Sequence, residues 1–163
     1  MQSNANARAD VRYAETPVQK VALVYGIVFL LVGIAGFIPG LTTNIEMVEF
    51  AGHTSEAMLL GIFQVSVLHN IVHLLFGVAG LVLARRFAWS KNYLIWGGVI
   101  YALLLVYGLF LHGDHAANFV PLNAADNWLH GALAVTMILL GVLLGRRHPS
   151  VAGDGRPAAG TTR

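Results

Sequence analysis

Four stretches of this chain, residues 21–45, 57–84, 92–113 and 127–145, contain no Asp, Glu, Lys or Arg, and each gap between them carries charge of a single sign. A helix rises about 1.5 Å per residue and the hydrocarbon layer of a bilayer is about 30 Å thick, so roughly 20 apolar residues cross it. Each stretch is long enough. The pattern predicts an all-α membrane domain over residues 17–148, a four-transmembrane-helix bundle with spans at about 21–39, 59–84, 92–111 and 127–145. Residues 1–16 and 149–163 are rich in small and polar residues without an apolar period, and are expected to be disordered tails. The first apolar run is too long for a signal-peptide core and has no Ala-x-Ala exit, so it is expected to stay as an anchor.

Lys and Arg beside membrane helices are retained on the cytoplasmic side. Arg8, Arg12 and Lys20 precede the first stretch, Arg85, Arg86 and Lys91 lie between the second and third, and Arg146 and Arg147 follow the fourth. Glu46, Glu49, Glu56, Asp114 and Asp126 occupy the other two gaps, which hold no Lys or Arg. Both termini are therefore expected in the cytoplasm and both acidic loops outside. With 56% hydrophobic and 11% charged residues the chain is unsuited to a water-soluble core. Its net charge of +2 comes from flanks suited to anionic head groups, so the lipid bilayer is the expected partner and nucleic acid is not. A membrane-protein partner or a homo-oligomer stays open. The absence of cysteine excludes disulfides, thiolate metal sites and c-type haem attachment.

The second and fourth stretches repeat a spacing. Leu68-His69, ten residues, Gly80, four residues, Arg85-Arg86 matches Leu129-His130, ten residues, Gly141, four residues, Arg146-Arg147. His69 and His130 then lie at equal depth, about 24 Å along a helix from the arginines. The first and third stretches echo each other through Phe37-Ile38-Pro39 and Phe119-Val120-Pro121. Two helical hairpins repeated in parallel would give this pattern.

Three segments carry a family resemblance: Gly33-Ile34-Ala35-Gly36-Phe37-Ile38-Pro39-Gly40, Leu68-His69-Asn70-Ile71-Val72-His73-Leu74-Leu75-Phe76-Gly77, and Ala117-Asn118-Phe119-Val120-Pro121-Leu122-Asn123 followed by Asp126-Asn127-Trp128-Leu129-His130. From about Thr16 to Arg147 the chain resembles domain-of-unknown-function family 4383. The resemblance implies a small four-span membrane protein of the kind common among actinobacteria, in a bacterial plasma membrane. It implies no activity, substrate or catalytic residue.

Histidine is the main source of chemistry. His69 and His73 are four apart and share a helix face, with Asn70 beside His73. An ionisable side chain at that depth is expected to face protein, because lipid exposure costs a few kcal/mol. His69, His73 and His130 could ligate a metal with help from Glu46, Glu49, Glu56 or Asp114, and His69 and His130 could hold haem b as opposed axial ligands. The reading that asks least has His69, His73, His130, Gln64, Asn70 and Asn127 bonding to one another or to carbonyls between helices, with no cofactor. His53 among the loop acids and the run His112-Gly113-Asp114-His115 would suit a surface cation or pH sensing. No nucleophile with a base, phosphate-binding loop or metalloprotease motif points to an enzyme. A structural or accessory membrane protein is the expectation. Metal or haem binding and outer-surface pH sensing are the alternatives.

Overall fold

Helix boundaries in this protein follow capping chemistry rather than the edges of the charge-free stretches. The computed structural model describes residues 13–111, 117 and 119–146. The tails beyond these limits, with Arg8, Arg12, Arg147 and His148, and the run His112-Gly113-Asp114-His115 lie outside the described residues. Among the described residues four α-helices form: α1 (Pro17–Ala35), α2 (Val67–Leu83), α3 (Phe87–Phe110) and α4 (Ala124–Leu144). Thr16 caps α1 reciprocally with Gln19, and Asn123 caps α4 reciprocally with Asp126, while the Ser66 hydroxyl accepts from the His69 N–H at the start of α2. These side chains satisfy backbone donors that a helix N-terminus leaves free.

The expected spans shift accordingly. α1 begins at Pro17, before Lys20, and α3 begins at Phe87, before Lys91, because a helix continues into the polar interface where a charge is tolerated. α1 ends at Ala35, four residues short of the expected 39, where Gly36 brings the chain against Asn70 and Pro39 follows. The largest correction concerns the second span. Residues 59–66, expected as helix, instead belong to a small antiparallel sheet of β1 (Thr42–Thr43), β2 (Met58–Leu59) and β3 (Phe63–Gln64), and to the extended run into Ser66. The β2–β3 turn carries Leu60 at φ +54° and Gly61 at φ +68°, left-handed values that stop a helix. Val65 and Val67 then donate to the Ala57 and Glu49 carbonyls, so the extended backbone is satisfied without a helix.

α1, α3 and α4 are long and apolar enough to cross a membrane, with 19, 24 and 21 residues and mean hydropathies of 2.1, 1.9 and 1.8. α2, at 17 residues, is apolar but reaches only about 25 Å. Large apolar side chains stay exposed on every helix, among them Leu31, Leu75, Leu103 and Leu139. A helix apolar all round belongs in a membrane or a large core.

Packing is closest within two pairs, α1 with α2 and α3 with α4. Gly26, Gly77 and Gly80 let the backbones of the first pair touch: a Cβ on Gly80 would lie 2.6 Å from Gly26 Cα, and one on Gly77 2.7 Å from Leu30 N. Gly98 and Gly141 do the same for the second pair, against Ala134, Ile138 and Ile95. Close approach of this kind replaces the hydrophobic drive that lipid cannot supply. Phe29 joins the pairs, stacked on Tyr101 at 5.6 Å and edge-on to Phe76 at 5.7 Å.

The two ends differ. At one, Gln19 Nε2 and the Ala14 N–H both donate to the Ala84 carbonyl, so Lys20, Arg85, Arg86, Lys91 and Arg146 gather there. At the other, the sheet forms a cap around Ala57, Leu59 and Val65. The Asp126 carboxylate fastens it, accepting from the Gln64 N–H (3.1 Å) and the Asn123 N–H (3.0 Å).

Candidate functional site: a histidine-lined cavity

Ser66 caps α2, and the first two turns of the helix bring His69 and His73 onto the face turned toward α3 and α4. Their rings stack, with centroids 4.6 Å apart and planes 9° apart. His130 on α4 approaches from across the bundle, 6.4 Å from His69 and 5.3 Å from the ring of Tyr101. The three imidazoles line a cavity of about 210 Å³. Val72, Phe76, Ile100, Tyr101 and Leu104 supply most of the remaining wall, and Ser66, Phe119 and Val120 close it toward the cap. Val72 and Ile100 are also exposed, at 38% and 44%, so the cavity reaches the outer surface between α2 and α3.

Hydrogen bonding among the imidazoles is incomplete. His73 Nδ1 lies 3.0 Å from the His69 carbonyl oxygen. Such an oxygen only accepts, so Nδ1 of a neutral His73 carries the proton and Nε2 presents a bare lone pair. His69 Nδ1 and His130 Nδ1 are buried and have no partner. His130 is only 2% exposed. A buried polar atom left unmatched costs about 1–3 kcal/mol and calls for an explanation.

The other polar residues have separate places. Asn127 Nδ2 donates to the Gly108 carbonyl (3.2 Å) between α4 and α3, and its Oδ1 has no partner. Asn70 packs on Gly36 between α2 and α1 with Nδ2 unpartnered. Gln64, expected between helices, is in β3 instead, where Nε2 donates to the Ser55 (2.7 Å) and His53 carbonyls. Glu46, Glu49 and Glu56, the expected carboxylate helpers, are exposed on the cap.

Among the described residues no group of three or more His, Cys, Asp or Glu is arranged to hold a metal ion. Tyr101, Ser66, Phe119 and Val120 were not foreseen as cavity residues, and only the Ser66-x-x-His69 cap gave a sequence signal.

No curated protein and no solved structure matches the chain. Residues 19–143, from the first turn of α1 to the last of α4, do match the family described as Domain of unknown function (DUF4383), and the chain belongs to that family.

Proposed function

We propose a four-span integral protein of the bacterial plasma membrane, both termini cytoplasmic, accessory rather than catalytic, that holds a small neutral molecule in the cavity between His69, His73 and His130. One observation carries the binding reading. The rings of His69, His73 and His130 line one cavity of about 210 Å³, and His69 Nδ1 and His130 Nδ1, buried behind its wall, have no protein partner. Histidines serving only to lock helices would bond to one another or to carbonyls, and of the three only His73 does so.

The four-span arrangement is supported by the pairing of α2 with α1, since an apolar helix packed along a membrane span faces the same lipid. Ala57, Leu59, Val65 and Ser66 are buried, which is the condition under which non-helical backbone is tolerated at membrane depth. Gathering of Lys20, Arg85, Arg86, Lys91 and Arg146 at one end supports a cytoplasmic assignment for that end. A duplicated hairpin is supported by a shared detail: the second helix of each pair presses an Asn amide onto a glycine of the first, Asn70 on Gly36 and Asn127 on Gly108.

The chain has no cysteine, so single-cysteine variants report topology cleanly. In intact cells a membrane-impermeant maleimide should label Leu60→Cys on the cap and leave Arg86→Cys unlabelled until lysis. The reverse pattern would overturn the orientation. For the cavity, fluorobenzene titrated into protein in nanodiscs should give saturable 19F NMR shifts. Leu104→Trp and Val72→Phe, filling the cavity from opposite walls, should each weaken binding at least about tenfold. Signals that never saturate, or that both variants leave unchanged, would sink the binding reading.

A further inference from the structure

The basic end of the bundle carries a groove on the outer side of α2, separate from the histidine cavity. Val78, Leu81, Val82 and Arg85 follow the i, i+3, i+4, i+7 spacing that sets residues on one helix face, and with Tyr13 they line a groove of about 720 Å³. Val78 and Val82 are exposed, at 51% and 43%. We propose that this groove holds one anionic phospholipid, its phosphate beside Arg85 and Tyr13 and an acyl chain along Val78 and Val82.

Local structure builds the polar end. Ala14 takes φ +51°, a left-handed value uncommon for a residue with a side chain, and its N–H donates to the Ala84 carbonyl at 3.2 Å. Tyr13 is thereby fixed beside the last turn of α2, as a wall that the helix itself does not supply. A helix C-terminus ordinarily repels an anion through its free carbonyls. Here the Leu83 carbonyl accepts from the Ser90 hydroxyl (3.0 Å), and the Ala84 carbonyl accepts from Gln19 Nε2 (3.0 Å) as well as from Ala14. Both are spent inside the protein.

The two arginines between α2 and α3 differ in what they meet. The Arg86 guanidinium lies 4.5 Å over the Trp89 ring, whereas Arg85 lines the groove. Positive charge therefore stands at one end of the groove, and the other end, about 10 Å along α2 at Val78, is apolar. An anionic head joined to a hydrocarbon tail matches that division, and a lipid of the adjoining leaflet is already at hand. A soluble phosphate would use the basic end alone and leave Val78 and Val82 uncovered. Under the proposed topology the leaflet is the cytoplasmic one.

Native mass spectrometry of the whole protein, released from micelles doped equally with dioleoyl phosphatidylglycerol and dioleoyl phosphatidylcholine, counts the lipids that stay bound. One phosphatidylglycerol per chain should be retained, at about fivefold the occupancy of phosphatidylcholine, the effect of one cation near the surface. Arg85→Gln should remove that preference. Lys91→Gln removes the same charge from the same end of the bundle but outside the groove, and should keep it. Val78→Trp fills the apolar half from an exposed position and should cut retention of both lipids at least about threefold, a readout that stands even if Arg85→Gln does not fold. Equal losses of preference in Arg85→Gln and Lys91→Gln would reduce it to diffuse charge and overturn the site. Retention untouched by Val78→Trp would overturn the seat of the chain, and displacement of the lipid by inorganic phosphate alone would assign the groove to a soluble anion instead.

Discussion

Gly80→Ala will destabilise the protein by about 2–3 kcal/mol, while Gly131→Ala will be neutral or stabilising by up to about 1 kcal/mol. The two substitutions add the same methyl group to a helix interior, and intrinsic helix propensity favours both. What differs is the neighbour. A Cβ at Gly80 meets the backbone of Gly26 at 2.6 Å, and a main chain cannot rotate away, so α1 and α2 must separate along the seam that Gly26, Gly77 and Gly80 share. A Cβ at Gly131 meets only Leu105 Cδ2, at an ordinary 3.5 Å. The midpoints of SDS-induced unfolding in mixed micelles measure the difference directly. Matched midpoints would mean that the glycine seam does not govern association of the first helix pair.

Asp126→Ala should cost about 2–3 kcal/mol, because one carboxylate oxygen serves two partly buried backbone donors that would then have no protein acceptor. Those donors are the N–H groups of Gln64 and Asn123, and Asp126 itself is 2% exposed. Asp126→Asn can still offer its carbonyl oxygen to both and should lose less than half as much. Hydrogen exchange distinguishes a local release from global unfolding. The Gln64 and Asn123 amides should exchange faster in Asp126→Ala at a denaturant concentration where amides in the middle of α3 remain protected. Unchanged exchange at those two sites would show that the carboxylate does not fasten the cap.

Charge pattern made the helical segments legible, since the absence of Asp, Glu, Lys and Arg reports directly on what a hydrocarbon layer tolerates. The same signal misjudged where helices begin and end. Lys20 and Lys91 are inside helices that reach the interface, and residues 59–66 are free of charge but not helical. The correcting information was local: the capping residues Ser66 and Asn123, and the turn at Leu60-Gly61, where the chain runs left-handed. The spacing shared by His69 and His130 indicated equal depth, and the two rings lie 6.4 Å apart. Spacing alone could not reveal that His69 would stack flat on His73, nor that a void would open beside them, because both depend on Tyr101, Leu104 and Phe119 arriving from elsewhere in the chain. In the sequence Asp126 is one acid of an acidic loop. Its role emerges only when Asn123-x-x-Asp126 is read as a reciprocal cap and the partner strand is known.

The 17-residue length of α2 has a consequence for the surrounding lipid. Under the proposed topology a helix of about 25 Å stands in a hydrocarbon layer of about 30 Å, and the buried non-helical residues leading into Ser66 occupy the remaining depth. Val72, at the rim of the cavity, is exposed on that helix. Under that topology, lipid beside the lateral opening meets the edge of the cap rather than a continuous helix.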